Sequence, residues 1–408
     1  MSKENLIPKF NLLVWLILFS LLLRFVTVYF IRDNHLDNEW QILVNNLANY
    51  KSYSFYTFDN QLLQSAYMPP MYAFFIYFVK TVTSFDGTNL VNLVIFIQII
   101  LSIYSIYLFY QINQNFFSDK LSLINSLIFS IIPLNIYSCG QISSINLQIF
   151  LSLLFLKYLI LLIHKNKFGN IFPFSIISGL LILTRGEFLL IFILIIFFIF
   201  FNKKIKLINL IKVFIIVFLI ISPYVVRNYI HFNQIFIVKS LGYNLWKGNN
   251  QLSPPGGYEN LGKSEFYKLN DRLDKLEKNK FYEINRDKIF LYEAINNLRE
   301  NSFHYFKLFF KKFFSYYFID LNSNYPNYYN LFHVIPICLI SVLSFPGLFT
   351  FFQKNKFEYK CLGLYFFSNL LIFSVFFILP SYKLIILPVQ IILAAHFINY
   401  IIKRYKSK

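Results

Sequence analysis

Cysteine is nearly absent from this 408-residue chain. Cys139, Cys338 and Cys361 fall in or beside apolar segments with no pairing pattern, so neither a disulfide framework nor a zinc site is implied. The six histidines are scattered, with no His-Glu-x-x-His and no Cys/His ligand spacing, which leaves a zinc enzyme unsupported. No Gly-x-Ser-x-Gly nucleophile elbow occurs. Acids are also few, 19 against 38 Lys and Arg, for a formal charge of +19. In a soluble domain that imbalance would point to nucleic acid. Here the cations sit in loops and tails between apolar runs, and no compact basic domain exists, so nucleic-acid binding is excluded as a reading. Lipid headgroups and membrane topology account for them instead.

What is abundant settles the class. Apolar residues make up 57% and aromatics 21% of the chain, with mean hydropathy +0.54. Apolar runs of about 20 residues recur, each long enough to cross a hydrocarbon core of roughly 30 Å. The spacing predicts an all-α polytopic membrane protein with ten crossings, at about 10–31, 69–83, 90–112, 120–138, 143–163, 171–200, 207–226, 332–352, 361–379 and 384–402. The first segment is longer than a signal-peptide core and lacks a small-residue cleavage site, so it is expected to stay as an anchor. Lys3 and Lys9 put the N-terminus on the cytoplasmic side, and ten crossings return the basic tail 403–408 to it. The chain then divides into an N-terminal membrane module (1–229), an outward hydrophilic loop (230–331) and C-terminal membrane helices (332–408). There is no internal repeat. His164-Lys165-Asn166-Lys167 fits this count poorly, because it falls outside.

The most informative stretch is the first outward loop, 32–68, which carries Asp33, Asp37 and Glu39 within seven residues. Trp40, Leu43, Val44, Leu47 and Ala48 follow at helical spacing, with Asn45, Asn46 and Asn49 on the other face, as in an amphipathic helix lying along the membrane interface. Acids beside a membrane are often only solvated loop residues. Three together ahead of such a helix also suit a site where a carboxylate takes a proton from, or orients, an attacking hydroxyl or amine. Asp37, just ahead of the helix, is the first choice for that base and Glu39 the second; Asp33, nearest the membrane end, ranks last.

Thr184-Arg185-Gly186-Glu187 lies inside the sixth segment. Ionisable groups inside a crossing are costly and face a cavity or a partner. Arg185 and Glu187 are compatible with a bundle-stabilising ion pair, or with Arg185 forking onto a phosphate. Arg227-Asn228 at the outer end of segment seven suits a lipid phosphate or an interfacial anchor equally. Lys263 to Glu300 reads as a solvated helix, and 303–318 as an interfacial helix with Lys307, Lys311 and Lys312 beside an aromatic stripe. Gly257 to Ser264 fits the phosphate-loop pattern G-x-x-x-x-G-K-[ST] by letter, but Gln251-Leu252-Ser253-Pro254-Pro255 cannot supply the strand that loop needs. Ser264 is expected to cap a helix instead.

In this order the residues resemble the C-type glycosyltransferases, most closely the bacterial family-39-type branch related to protein mannosyltransferases and the aminoarabinose transferase of lipid A. The matching elements are Asp37-Asn38-Glu39-Trp40 after the first helix, Pro69-Pro70-Met71-Tyr72, Gly179 to Arg185 ending Leu-Thr-Arg, Pro223 to Tyr229 ending Arg-Asn-Tyr, Gly242-Tyr243-Asn244-Leu245 with Gly248-Asn249, and Ser381-Tyr382-Lys383-Leu384. The matches span nearly the whole chain and are specific only in combination. Asn38 splits an acid pair that is adjacent in the family, and Lys383 stands alone where two cations are common. The resemblance implies sugar transfer from a polyprenyl-phosphate-linked donor to a lipid, glycan or protein acceptor at the outer face of the inner membrane, without a nucleotide sugar. It implies Asp37 or Glu39 as base, Arg227, Lys383 and Arg185 as ligands of the donor phosphate, and Glu187, Asn228, Asn249 and Tyr72 as further site residues. Whether a divalent metal takes part stays open. A transporter or lipid flippase would also place charges inside a helical bundle, and is the alternative reading.

Overall fold

The computed structural model describes residues 7–36, 38–58, 61–165, 167–320, 330–353 and 356–406. Asp37, the first choice for the base, lies outside the described residues. The membrane helices run in the order α1 Ile7–Phe30, α4 Gly87–Asn113, α5 Asp119–Ile131 with α6 Pro133–Tyr137, α7 Ile145–His164, α8 Phe168–Thr184, α9 Phe188–Phe201, α10 Leu207–Phe232, α15 Leu331–Phe352, α16 Phe357–Val375 and α17 Lys383–Lys406. Between α1 and α4 lie α2 Asn38–Tyr50, a hairpin of β1 Ser54–Phe58 and β2 Gln61–Gln64, and α3 Pro70–Thr83. Between α10 and α15 lie α11 Leu241–Gly248, α12 Tyr267–Asp274, α13 Tyr282–Glu300 and α14 Ser302–Tyr317.

Six of these helices are long and apolar enough to span a bilayer, and seven are if α5 and α6, bent by 62° at Pro133, form one span. The expected ten are not reached by length and composition, for three physical reasons. The second expected segment, α3, has 14 residues, about 21 Å at 1.5 Å per residue, short of the hydrocarbon core. Lys80 on it pairs with Asp86 at 2.8 Å, and Tyr77 accepts from Lys51 at 3.1 Å, so it stays with the first loop. The sixth expected segment is two helices, broken at Arg185-Gly186-Glu187. α16 is diluted by polar residues because most of its surface faces protein: Tyr359, Tyr365, Ser368 and Asn369 are all buried.

The bundle is apolar outside and partly polar inside, as lipid demands. Trp15, Leu22 and Phe30 of α1 are exposed, while Ser20 and Arg24 on its inner side are fully buried. The guanidinium of Arg24 donates to Ser102 Oγ at 2.8 Å and to the carbonyls of Ser20 and Ser130. α17 is the central helix, and Gly347 of α15 lies so close to the Leu393 backbone that any Cβ there would collide with it.

The two ends of the bundle are unlike. At one end His164 meets Glu358 at 3.2 Å, the rings of Phe198 and Phe357 stack at 5.3 Å, and Phe116 lies against Tyr359. Lys165, Lys167, Lys203, Lys206, Lys356 and Lys360 are exposed there. α8 leaves from this basic end, the 185–187 break lies at the other, and α9 returns, so α8 and α9 form a hairpin. Because α3 does not cross, α1, α4, α5–α6 and α7 bring His164, Lys165 and Lys167 back to the basic end, which removes their misfit in the sequence-derived count. The α8–α9 hairpin keeps Lys203 and Lys206 at that end too. The opposite, loop end carries both irregular regions.

Candidate active site

The first loop is tied down at both margins. Asp33 N–H donates to the Gly140 carbonyl at 2.9 Å, and its carboxylate accepts Ile142 N–H at 2.6 Å. Gly140 is required at this approach, because a Cβ would stand 2.7 Å from the Ile31 carbonyl. The predicted amphipathic helix forms as α2, but its apolar face is covered by protein rather than lipid. Leu43 and Leu47 pack with Tyr53, Ala73 and Tyr224, with Trp40 and Leu183 at the edge of the same cluster. Trp40 adjoins Glu39 and Leu183 precedes Arg185 by two residues, so the acidic loop and the α8–α9 break are brought together. Glu39 is half-buried; its charge, after burial and the neighbouring Tyr243, helps push up the pKa of the Tyr67 phenol.

The expected cations converge on this end but are engaged differently. Arg185 Nε donates to Gln148 Oε1 at 3.1 Å and Nη1 to the Tyr382 hydroxyl at 3.4 Å. The guanidinium lies over the Tyr382 ring at 4.7 Å, and Glu187 is 3.6 Å from Nη1. Nη2 makes no hydrogen bond among the described residues. Arg227 is inside α10 rather than at its end, and donates to the Ser65 carbonyl (2.6 Å), Asn228 Oδ1 (2.8 Å), the Tyr53 carbonyl (3.0 Å) and Gln64 Oε1. Asn228 donates in turn to the carbonyls of Phe236 and Ile237. Lys383 is buried, and its three donors go to the carbonyls of Tyr316 and Tyr317 and to Ser341 Oγ, capping the carbonyl end of α14. Tyr72 is buried, donates to Gln98 Oε1 at 2.7 Å and packs edge-on against Trp40.

The region between α10 and α15 forms a second small core rather than a solvated helix. Trp246, Phe266, Leu269, Leu273, Phe290 and Ala294 pack together, and α13 turns Glu283, Asp287 and Asn297 inward on the same face. Asp287 accepts Tyr243 N–H at 2.9 Å at the start of α11. α11 then docks on the link between α16 and α17: Asn249 Nδ2 donates to the Val375 carbonyl, and Ile378 N–H to Pro255. Asn249 also accepts Lys312 Nζ at 2.9 Å. Lys312 is therefore on the buried face of α14, not beside the exposed Phe303, Phe306, Phe310 and Phe314, and burial lowers its pKa to about 7. Residues 251–263 form no strand, and Ser264 caps no helix; its hydroxyl bonds Glu265. Among the described residues no group of three or more His, Cys, Asp or Glu could hold a metal ion.

Sequence reading missed Glu283, whose carboxylate accepts Ser65 Oγ and Ala66 N–H, both at 2.7 Å. Burial raises its pKa, while these donors and Arg227 oppose the rise. The available signal was positional: Glu283 and Asp287 lie one turn apart, in register with Phe290 and Ala294, so two acids occupy an apolar face.

No protein-family model and no curated protein sequence matches this chain. Among solved structures, the archaeal oligosaccharyltransferase AglB from Archaeoglobus fulgidus, in complex with an inhibitory peptide and a dolichol-phosphate, matches with TM-score 0.59 and 16% identity over 100% of this chain and 52% of that one. The same enzyme in its apo form gives 0.58 and 14% over the same shares. ArnT from Cupriavidus metallidurans bound to undecaprenyl phosphate is a weaker likeness, at 0.47 and 13% over 95% and 60%. The chain spans about half the length of the AglB structures. At such identities the likeness shows the fold alone: this predominantly helical chain, with helices long and apolar enough to span a membrane, shares the fold of the AglB structures.

Proposed function

We propose that this protein is an integral membrane glycosyltransferase that moves a sugar from a polyprenyl-phosphate-linked donor to an acceptor at the outer face of the inner membrane. The observation that carries the reading is the AglB-like fold, in which the first-loop helix α2 shares an apolar cluster with Leu183 at the end of α8, two residues before Arg185 at the α8–α9 break. That AglB was captured with a dolichol-phosphate and an inhibitory peptide supports a polyprenyl-phosphate donor and is compatible with a peptide acceptor. The exposed lysines at the opposite end support a cytoplasmic basic end and an outward loop end.

In the proposed reaction Asp37, or Glu39 two residues on, takes the proton from the acceptor hydroxyl or amine. The freed pair bonds to the anomeric carbon from the face opposite the phosphate. The bond between that carbon and the phosphate oxygen breaks, and the electron pair leaves with the polyprenyl phosphate, inverting the configuration. Arg185 is the cation best placed to meet the departing charge, because Lys383 spends its three donors, and Arg227 both of its Nη groups, on protein acceptors. Such preorganised charge is the usual dominant contribution in these transfers.

The test is a panel of radiolabelled polyprenyl-phosphate sugars offered to membranes with and without the protein. Protein-dependent transfer of label to an acceptor, with free polyprenyl phosphate released, is expected. Label that crosses the bilayer still joined to its lipid would instead establish the transporter or flippase reading.

A further inference from the structure

Ser65 and Ala66, just ahead of Pro69, are held from every side. Ser65 N–H donates to the Tyr53 carbonyl at 2.7 Å, its carbonyl accepts Arg227 Nη1 at 2.6 Å, and its hydroxyl donates to Glu283 Oε1 at 2.7 Å. Ala66 N–H donates to Glu283 Oε2 at 2.7 Å, and its carbonyl accepts Lys239 N–H at 2.8 Å. Both residues are fully buried. Four separate stretches of chain therefore converge on one dipeptide, and Glu283 spends both oxygens on it across more than 200 positions of sequence.

The fold of α13 itself has no need of a carboxylate here. Position 283 is on its inward face with Phe290 and Ala294, where an apolar residue would pack without the cost of burying charge. The carboxylate instead acts on the first loop. With Asp33 fixing the near margin of that loop, the Ser65-Ala66 grip fixes the far margin, and the acid-bearing segment and α2 are strung between them. Tyr67, the next residue, stacks on Phe55, which packs on the Leu43 and Leu47 cluster of α2, so the grip reaches the helix whose first turn carries Glu39.

We propose that Glu283 is a positioning residue for transfer: by clamping Ser65 and Ala66 it sets where the first loop presents its acid over the α8–α9 break. Arg227 is the opposing jaw of the same clamp. The inference rests on the glycosyltransferase reading, and its test has an arm that does not.

Hydrogen–deuterium exchange over 38–66 in the detergent-solubilised full chain reads the clamp directly, and donor-dependent transfer reads its consequence. Glu283→Ala is expected to raise exchange across the first loop at least tenfold and to lower kcat roughly 100-fold, the scale of a 1 Å misplacement. The donor KM should move less than about threefold. A smaller folded fraction would also lower kcat at constant KM, so rates are normalised to the folded fraction read by thermal melting, and only the normalised loss reports positioning. Glu283→Gln keeps one acceptor oxygen and should recover part of both losses; Ser65→Ala removes a single bond and should cost least. First-loop exchange unchanged in Glu283→Ala overturns the clamp, and freed exchange with wild-type kinetics overturns its positioning role. Should Glu283→Ala fail to fold, Glu283→Gln and Ser65→Ala decide by the same two readouts. If no donor is turned over by the wild type, the glycosyltransferase reading fails, while exchange still decides whether Glu283 holds the loop.

Discussion

The basic end and the loop end of the bundle use cations in opposite ways. At the basic end Lys165, Lys203, Lys206 and Lys356 stand in solvent, where charge orients the chain and meets headgroups but adds little stability. At the loop end Arg185, Arg227, Lys312 and Lys383 are withdrawn from solvent and each is met by particular acceptors. A desolvated cation is costly unless its donors are satisfied. Lys383 spends its three donors on Ser341 and the end of α14, and Arg227 spends both of its Nη groups on the first loop and Asn228. Arg185, with Nη2 unengaged among the described residues, and Lys312, with one neutral acceptor, are less fully engaged. Under the proposed function, the contrast gives orientation to one end and chemistry to the other.

Arg185→Ala should break this contrast most severely, lowering kcat by roughly 100- to 1000-fold with the protein still folded, as removal of a preorganised charge contact does. Arg185→Lys should recover only part, since an ammonium cannot fork onto two phosphate oxygens. Gly248→Val should follow. A side chain there runs into the Phe376 carbonyl, so thermal melting in detergent should show a loss of about 1–3 kcal/mol as the small core around Trp246 lifts from the α16–α17 link.

Lys312 gives a pH test. Its folded-state pKa is lowered to about 7 by burial, against about 10.4 in an unfolded chain. Between those values the unfolded state holds more protons, so this residue's contribution makes stability rise with pH across that window. Lys312→Met should remove the rise: its melting temperature should exceed that of the wild type most at pH 6–7 and converge with it near pH 10. The smallest effect is expected at the other end. Lys203→Gln, Lys204→Gln and Lys206→Gln together should change stability by no more than about 0.5 kcal/mol and leave transfer rates alone.

Composition and apolar run length were enough for the fold class, because long lipid-facing helices such as α1, α4, α10 and α15 carry their signal locally. Helix breaks were not legible in the same way. The run from 171 to 200 is apolar on both sides of Arg185, and only the packing of Arg185 against Gln148 and Tyr382 shows that the chain turns back there. α3 was read as a crossing because apolar content does not distinguish a face covered by lipid from one covered by α2 and α8. At the site, Glu39, Arg185 and the Pro69-Pro70 turn stood out in the sequence, whereas Glu283 did not. Its role depends on Ser65 and Ala66, which are brought to it only when α13 folds back over the first loop.

The most direct test of a chemical loop end is release of free polyprenyl phosphate by the purified protein in nanodiscs. Wild type, Asp37→Asn and Glu39→Gln would be supplied with whichever polyprenyl-phosphate sugar the membrane panel identifies. Release by the wild type is expected, with a loss of roughly 100-fold or more in Asp37→Asn, a smaller loss in Glu39→Gln, and all three proteins melting alike. Release at wild-type rates from both variants would contradict a chemical loop end, because no carboxylate of the first loop would then be doing the work assigned to that end.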